Sequence, residues 1–406
     1  MSKTVWIINQ YASTPETGMG GRHFYLSQEL AKLGYKVYLI AESHHHLLRA
    51  PPVMDEVIQF EYTQGFTFVW VKLPRYKQAH SNLRVLNWFL FPLRIQKLKK
   101  LIRDSPDVIL CSSPSPIAFL GAQRLAKKFS CRLVFEVRDI WPLTLTEIGG
   151  YSAKHPFIRF MQKVENRAYK VSDRVVSNLE NSVEHMVGHG MQEDKFLWVA
   201  NGFSLDEVEM NVPLNLRAQE FIPKDGFVVG YTGSLGVANA LDTLLLAALI
   251  LKEFSDIKFV LVGEGNQKAV LKAIASQNGL TNVIFIDAIP KVEIQAVLRQ
   301  FDACYIGWLK DDLYRFGIGA NKIPEYLYSG KPILHSYSGA CDPVSKYKAG
   351  LVCEAENAQA LADSIMHLYK MSDEQRQAMG LNGKSAAISV YEYAALASKL
   401  ESALFG

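Results

Sequence analysis

The chain has 406 residues, 49% hydrophobic and 21% charged, and a formal net charge of +4. That length suits two domains of about 150–200 residues each. The composition excludes a disordered chain, and so mild a charge implies no nucleic-acid partner. Five cysteines, Cys111, Cys131, Cys304, Cys341 and Cys353, lie scattered with no C-x-x-C spacing, which argues for a reducing compartment.

The opening MSKTVWIINQ runs directly into a strand pattern at 4–9. No segment offers the ~18 uninterrupted apolar residues of a membrane span, so the expected location is the cytosol or the cytosolic face of a membrane. A loop bearing Gly18, Gly20 and Gly21 opens a helix at Arg22, which ends near Leu33 with Gly34 as its C-cap. His23 stands where G-x-G-x-x-G would need its third glycine, so the loop is not that dinucleotide fingerprint and also fits a plain surface turn. Strands expected at 36–41, 66–73, 108–112, 132–137, 174–177 and 196–199 alternate with segments of helical period, the pattern of a doubly wound parallel sheet. His44, His45 and His46 read as an exposed loop, and Glu165 and Arg167 as surface charges on a helix.

Periodicity fails after Phe203, where acids accompany Pro213 and Pro223, so residues 204–226 read as a linker between domains 1–203 and 227–390. A second α/β series follows, with strands at 227–231, 258–262, 283–286, 303–306 and 332–336. Two of its turns are glycine-rich: YTGSLG at 231–236 and VGEGN at 262–266. Open α/β sheets bind ligands beyond the carboxyl ends of their strands, so the expectation is an α/β chain of two Rossmann-like parallel-sheet domains facing a cleft.

The stretch YRFGIGANKIPEYLYSGKPIL, 314–334, reads as a grip for a nucleoside diphosphate. Gly317 and Gly319 permit close backbone approach, Asn321 suits an N-cap, Lys322 adds a positive charge, and Glu325 offers two acceptors to sugar hydroxyls. An ordinary helix start with a solvated Lys fits the same residues. Glu136, Arg138 and Asp139 end an apolar strand before Trp141-Pro142: Asp139 suits a proton acceptor and Arg138 a phosphate contact, or the two brace a loop. LRVLNWFLFPLRIQKLKKLIR, 83–103, sets Trp88, Phe89 and Phe91 beside Arg94 and other basic residues; it suits an anionic membrane interface or packing on the sheet. No paired-aspartate metal motif occurs in a suitable loop, Asp311-Asp312 lying in a polar turn.

The segments GMGGRHFYLSQELAKLGYKV, FEVRDIWPLTLTEIGG, VANGFS, GYTGSLG and the Lys322/Glu325 stretch together make the chain resemble retaining glycosyltransferases of family 4. The resemblance is to bacterial O-antigen and capsule enzymes of the L-fucosamine-transferase type. It implies the GT-B fold, an N-terminal acceptor domain to which a last helix at 391–404 returns, and a C-terminal domain for the nucleotide sugar. It implies transfer of a sugar, an N-acetylated deoxysugar by this likeness, from its UDP form to a polyprenyl-diphosphate-linked saccharide, without metal or other cofactor, by an enzyme peripheral on the cytoplasmic face of the inner membrane. With the residue reading it yields catalytic candidates Arg138, Asp139 and Lys322. The nucleotide-sugar candidates are Gly20, Gly21, Arg22, Gly233, Ser234, Gly263, Ile289, Asn321, Lys322 and Glu325; those for membrane and acceptor are Trp88, Phe89, Phe91 and Arg94.

The chain departs from the family's pattern at four places. Ser234 and Asn239 stand where an Arg and a Lys usually neutralise the diphosphate, Gly317 replaces an acid, and Arg138 replaces a His. Lys322, Arg22 and Arg138 are then the cations expected to meet the phosphates. A non-hydrolysing UDP-sugar 2-epimerase shares the architecture and is the rival enzyme; a catalytically idle scaffold of a glycan-assembly complex is the rival of another kind.

Overall fold

The computed structural model describes residues 2–18, 20–76, 81–210 and 212–406. The chain divides into two compact units, Met1–Asn201 with Tyr393–Gly406, and Gly202–Glu392.

The first unit is built on β1 (Thr4–Ile8), β2 (Lys36–Glu42), β3 (Ile58–Thr63), β4 (Phe66–Val71), β5 (Val108–Ser112), β6 (Arg132–Val137), β7 (Arg174–Ser177) and β8 (Phe196–Trp198). They lie in the order β3-β4-β2-β1-β5-β6-β7-β8, parallel throughout except for β3, which pairs antiparallel with β4. The inner strands are continuous apolar runs because helices cover both faces: Val5, Trp6, Ile7 and Ile8 are all buried. Strand β3 was not expected. Its sequence IQFEYT alternates and leaves Phe60 and Tyr62 exposed, which suits an edge strand and gives no buried run to detect. The last helix, Tyr393–Phe405, packs on this unit: Tyr393 stacks on Tyr25 and Phe405 on Tyr35, each pair with ring centroids 4.9 Å apart.

The second unit contains β9 (Phe227–Thr232), β10 (Ile257–Val262), β11 (Val283–Ile286), β12 (Ala303–Gly307), β13 (Ile333–Ser336) and β14 (Gly350–Cys353), all parallel in the order β11-β10-β9-β12-β13-β14. Strand β14 was also missed, being only four residues, GLVC. Helix Leu241–Ile250, apolar nearly all round, fills the core beside β9, β10 and helix Ala358–Lys370. The segment 204–226 is more ordered than a linker. It forms helices Leu205–Glu209 and Leu216–Phe221, capped by the side chains of Ser204 and Asn215, and it groups with the second unit. Among the described residues no helix is long and apolar enough to cross a membrane.

Candidate active site

In the second unit the chain leaves β9 at Gly233, φ 135°, and leaves β10 at Gly263, φ 152°, backbone conformations that L side chains avoid. A Cβ on Gly263 would overlap the Gly233 carbonyl oxygen. The two turns are bonded together, Gly233 N–H to the Val262 carbonyl at 3.0 Å and Leu235 N–H to the Glu264 carbonyl at 2.8 Å. They make one shelf of backbone at the carboxyl ends of adjacent strands.

Lys322 opens helix Lys322–Tyr328 and reaches this shelf: a Cβ on Gly233 would lie 3.0 Å from its Nζ. The ammonium donates to the Tyr231 hydroxyl at 2.8 Å, and that hydroxyl donates on to the Ser234 carbonyl at 2.7 Å. It also sits 3.9 Å from the Tyr231 ring centroid. Burial pulls the Lys322 pKa down to about 7, against the opposing charge of Glu325. An anion placed on the shelf would restore its charge.

Glu325, one turn on, keeps a side chain 20% exposed. Burial raises its pKa, while Lys291, 3.9 Å from Oε1, pulls it down. Lys291 also contacts Glu207 at 2.8 Å, and Gln295 Nε2 donates to the Glu325 carbonyl at 3.0 Å. Ile289 is half-buried in the loop between β11 and the turn Lys291–Glu293, and Ser234 is exposed on the shelf. Asn321 does not act as the expected N-cap. Its own backbone is already helical, φ −72° and ψ −24°, so its side chain makes no bond back to the first turn.

In the first unit Gly20 and Gly21 form the expected tight turn, with φ 64° and 84°. Arg22, read as a phosphate cation, is committed elsewhere. Its Nε donates to Glu136 Oε1 at 2.8 Å, and its terminal nitrogens donate to the carbonyls of Val199, at 2.9 Å, and Ala200. His23 completes this buried group: Asn9 Nδ2 donates to its Nδ1 at 2.8 Å, so Nε2 carries the proton and donates to Glu136. Burial pushes Glu136 upward, but His23 and Arg22 outweigh it and hold its carboxyl well below the usual range; burial lowers His23. Sequence reading placed Glu136 at a strand end but missed the pairing, because its partners are more than 100 residues away.

Arg138 and Asp139 follow β6. The Arg138 backbone N–H donates to Ser113 Oγ at 2.8 Å, and its buried Nε has no hydrogen-bond partner among the described residues. Asp139 is exposed to solvent, yet protein packed round its carboxylate raises its pKa, with Arg138 opposing. The two are not locked in a hydrogen-bonded brace.

The membrane candidates divide. Trp88 and Phe91 are 6% and 0% exposed and belong to the core, Trp88 donating to the Tyr11 hydroxyl at 2.6 Å, because they point inward from helix Asn82–Arg94. Phe89 faces out at 38%, together with Leu83, Leu86 and Leu93 at 42%, 46% and 56%. Arg94 donates to the Lys72 carbonyl. Two other expectations also fail: Glu165 is buried against Tyr169 with its pKa pushed up to about 8, and His45 is buried with its own lowered to about 4, each by burial.

Comparison with known proteins agrees with the two-domain fold. Residues 18–207 match the family described as Glycosyltransferase Family 4, and residues 214–386 match Glycosyl transferases group 1. WcaI of Escherichia coli (strain K12), a protein named for colanic acid biosynthesis, is 23% identical over 291 residues, 66% of this chain and 70% of that protein. Sucrose-phosphate synthase from Thermosynechococcus elongatus superimposes with a TM-score of 0.70 at 16% identity, covering 98% of each chain. HepE of Anabaena, solved with UDP and glucose, does so with a TM-score of 0.64 at 13% identity over 99% of each. The chain therefore is a glycosyltransferase of the GT-B architecture, its first part similar to Glycosyltransferase Family 4 and its second to Glycosyl transferases group 1.

Proposed function

We propose that the enzyme transfers a sugar from a UDP-sugar to a polyprenyl-diphosphate-linked saccharide, with retention at the anomeric carbon, in the assembly of a cell-surface polysaccharide. The observation that carries this reading is the Lys322 ammonium held beneath the Gly233 backbone. Breaking the anomeric C–O bond builds negative charge on the β-phosphate, and a preorganised cation with neighbouring N–H donors lowers that barrier most. In this reading Lys322 and the Gly233–Gly263 shelf hold the diphosphate, Glu325 accepts the ribose hydroxyls, and Ile289 borders the base. The departing phosphate takes the acceptor's proton as the acceptor attacks from the same face, so no protein nucleophile is required.

Asp139 orients the acceptor hydroxyl, and Arg138, whose Nε lacks a partner among the described residues, meets acceptor phosphate. The donor sugar is an N-acetylated deoxysugar by the family likeness, and the relative in Escherichia coli named for colanic acid supports a polysaccharide product. Attachment to the cytoplasmic face of the membrane uses the outward apolar face of Leu83, Leu86, Phe89 and Leu93, flanked by the exposed Lys97, Lys99, Lys100 and Arg103. A panel of UDP-sugars, incubated with and without polyprenyl-diphosphate-linked saccharides, tests the reading. Acceptor-dependent release of UDP with a lengthened glycan supports it. An isomerised sugar without acceptor makes the protein an epimerase, and no reaction with any pair contradicts transfer.

A further inference from the structure

We propose that Lys291 is a positioning residue that keeps the Glu325 carboxylate ionised and aimed for the ribose, with Glu207 setting how much of the Lys291 charge reaches it. This rests on the reading of Glu325 as ribose acceptor. The three side chains come from separate elements: Glu207 from helix Leu205–Glu209, Lys291 from the turn Lys291–Glu293, and Glu325 from helix Lys322–Tyr328. Lys291 Nζ lies 2.8 Å from Glu207 Oε2 and 3.9 Å from Glu325 Oε1. An ammonium has three donors and no acceptor, so one lysine serves both carboxylates. Glu207, Lys291, Gln295 and Glu325 line one small pocket.

Gln295 fixes the other side of this pocket. Its Nε2 holds the Glu325 carbonyl at 3.0 Å, and its Oε1 is buried with no hydrogen-bond partner among the described residues. The helix that carries Glu325 is thus anchored through its backbone, leaving the carboxylate to be governed by charge. Burial alone favours the protonated acid, which would surrender one of the two acceptor oxygens a pair of hydroxyls needs. Lys291 opposes burial, Glu207 reinforces it, and Lys322 on the same helix opposes it weakly. Of the other segments packed on this helix, Asp373–Ala386 places Lys384 over the Tyr328 ring, and Ala387–Tyr391 carries no charged residue.

The test measures UDP affinity by calorimetry from pH 5.5 to pH 8 on the full chain. Removing the cation in Lys291→Met raises the Glu325 pKa, so the acid limb of affinity moves to higher pH. The wild-type to variant affinity ratio then grows about three- to tenfold between pH 8 and pH 5.5. Lys291→Arg keeps the charge and holds the limb in place. Glu207→Gln removes the competing carboxylate and moves the limb to lower pH. Opposite shifts from the two partners of one lysine are not the outcome of a purely structural contact. A Lys291→Met protein with an unmoved limb, or a Glu207→Gln protein shifted the same way as Lys291→Met, overturns the inference. Glu325→Gln with unchanged UDP affinity overturns the ribose reading beneath it instead.

Discussion

Lys322 is held in the free protein at a pKa of about 7, so at pH 8 much of it is neutral until an anion binds. UDP binding at pH 8 is expected to take up a fraction of a proton, read as a dependence of the calorimetric enthalpy on the ionisation enthalpy of the buffer. Uptake should fall toward zero at pH 6, where Lys322 is already charged. The same shift has a stability consequence. A lysine depressed from its ordinary value binds more protons unfolded than folded between about pH 7 and pH 10.5, so its contribution improves as pH rises through that window and is most unfavourable below it. Lys322→Met should therefore melt at or above the wild-type temperature at pH 6; a lower melting temperature would mean the charge stabilises the fold. Arg22 has the reverse character. Losing one partner of a buried ion pair typically costs about 3–5 kcal/mol, so Arg22→Met is expected to lose about that much in chemical denaturation, since Glu136 would keep a buried charge. Sequence alone placed Lys322 at a helix start, Glu325 one turn on and Gly233 in the turn after a strand, and all three stand there. It misjudged Arg22 because nothing local reveals a guanidinium bound to Glu136 and to Val199.

Helix Asn82–Arg94 shows what residue composition leaves open. Aromatic and basic residues in 83–103 announce an amphipathic helix, but which aromatics face out depends on the packing surface. Trp88 and Phe91 lie on the inward face and Phe89 on the outward one. Replacing Leu86, Phe89 and Leu93 with Ser should weaken cosedimentation with anionic vesicles even at low salt and leave the melting temperature near that of the parent. Equal binding would exclude insertion by this face. Phe91→Ala, by contrast, should cost about 3–5 kcal/mol of stability, as expected for emptying a buried aromatic site. Strands β5, β6, β7 and β11 fell where apolar runs placed them, whereas β3 and β14 had no such run: one is an alternating edge and the other four residues long.

At the scale of the whole molecule the two parallel sheets were legible because buried strands between covering helices are near-continuous apolar runs. The ordering of 204–226 was not, since its helices are five and six residues long and fixed by caps and by groups remote in sequence, such as Glu293 bonding Asn215 at 2.7 Å. The returning helix ties the end of the chain to the first unit through Tyr25 and Tyr35. The proposed transfer is driven by a cation poised at the departing diphosphate. The most direct test is the rate of acceptor-dependent UDP release by Lys322→Ala against wild type at saturating donor. Loss of one preorganised donor to developing charge predicts a fall of about 10²–10³ in kcat with the fold intact; a folded variant turning over at the wild-type rate would contradict the account.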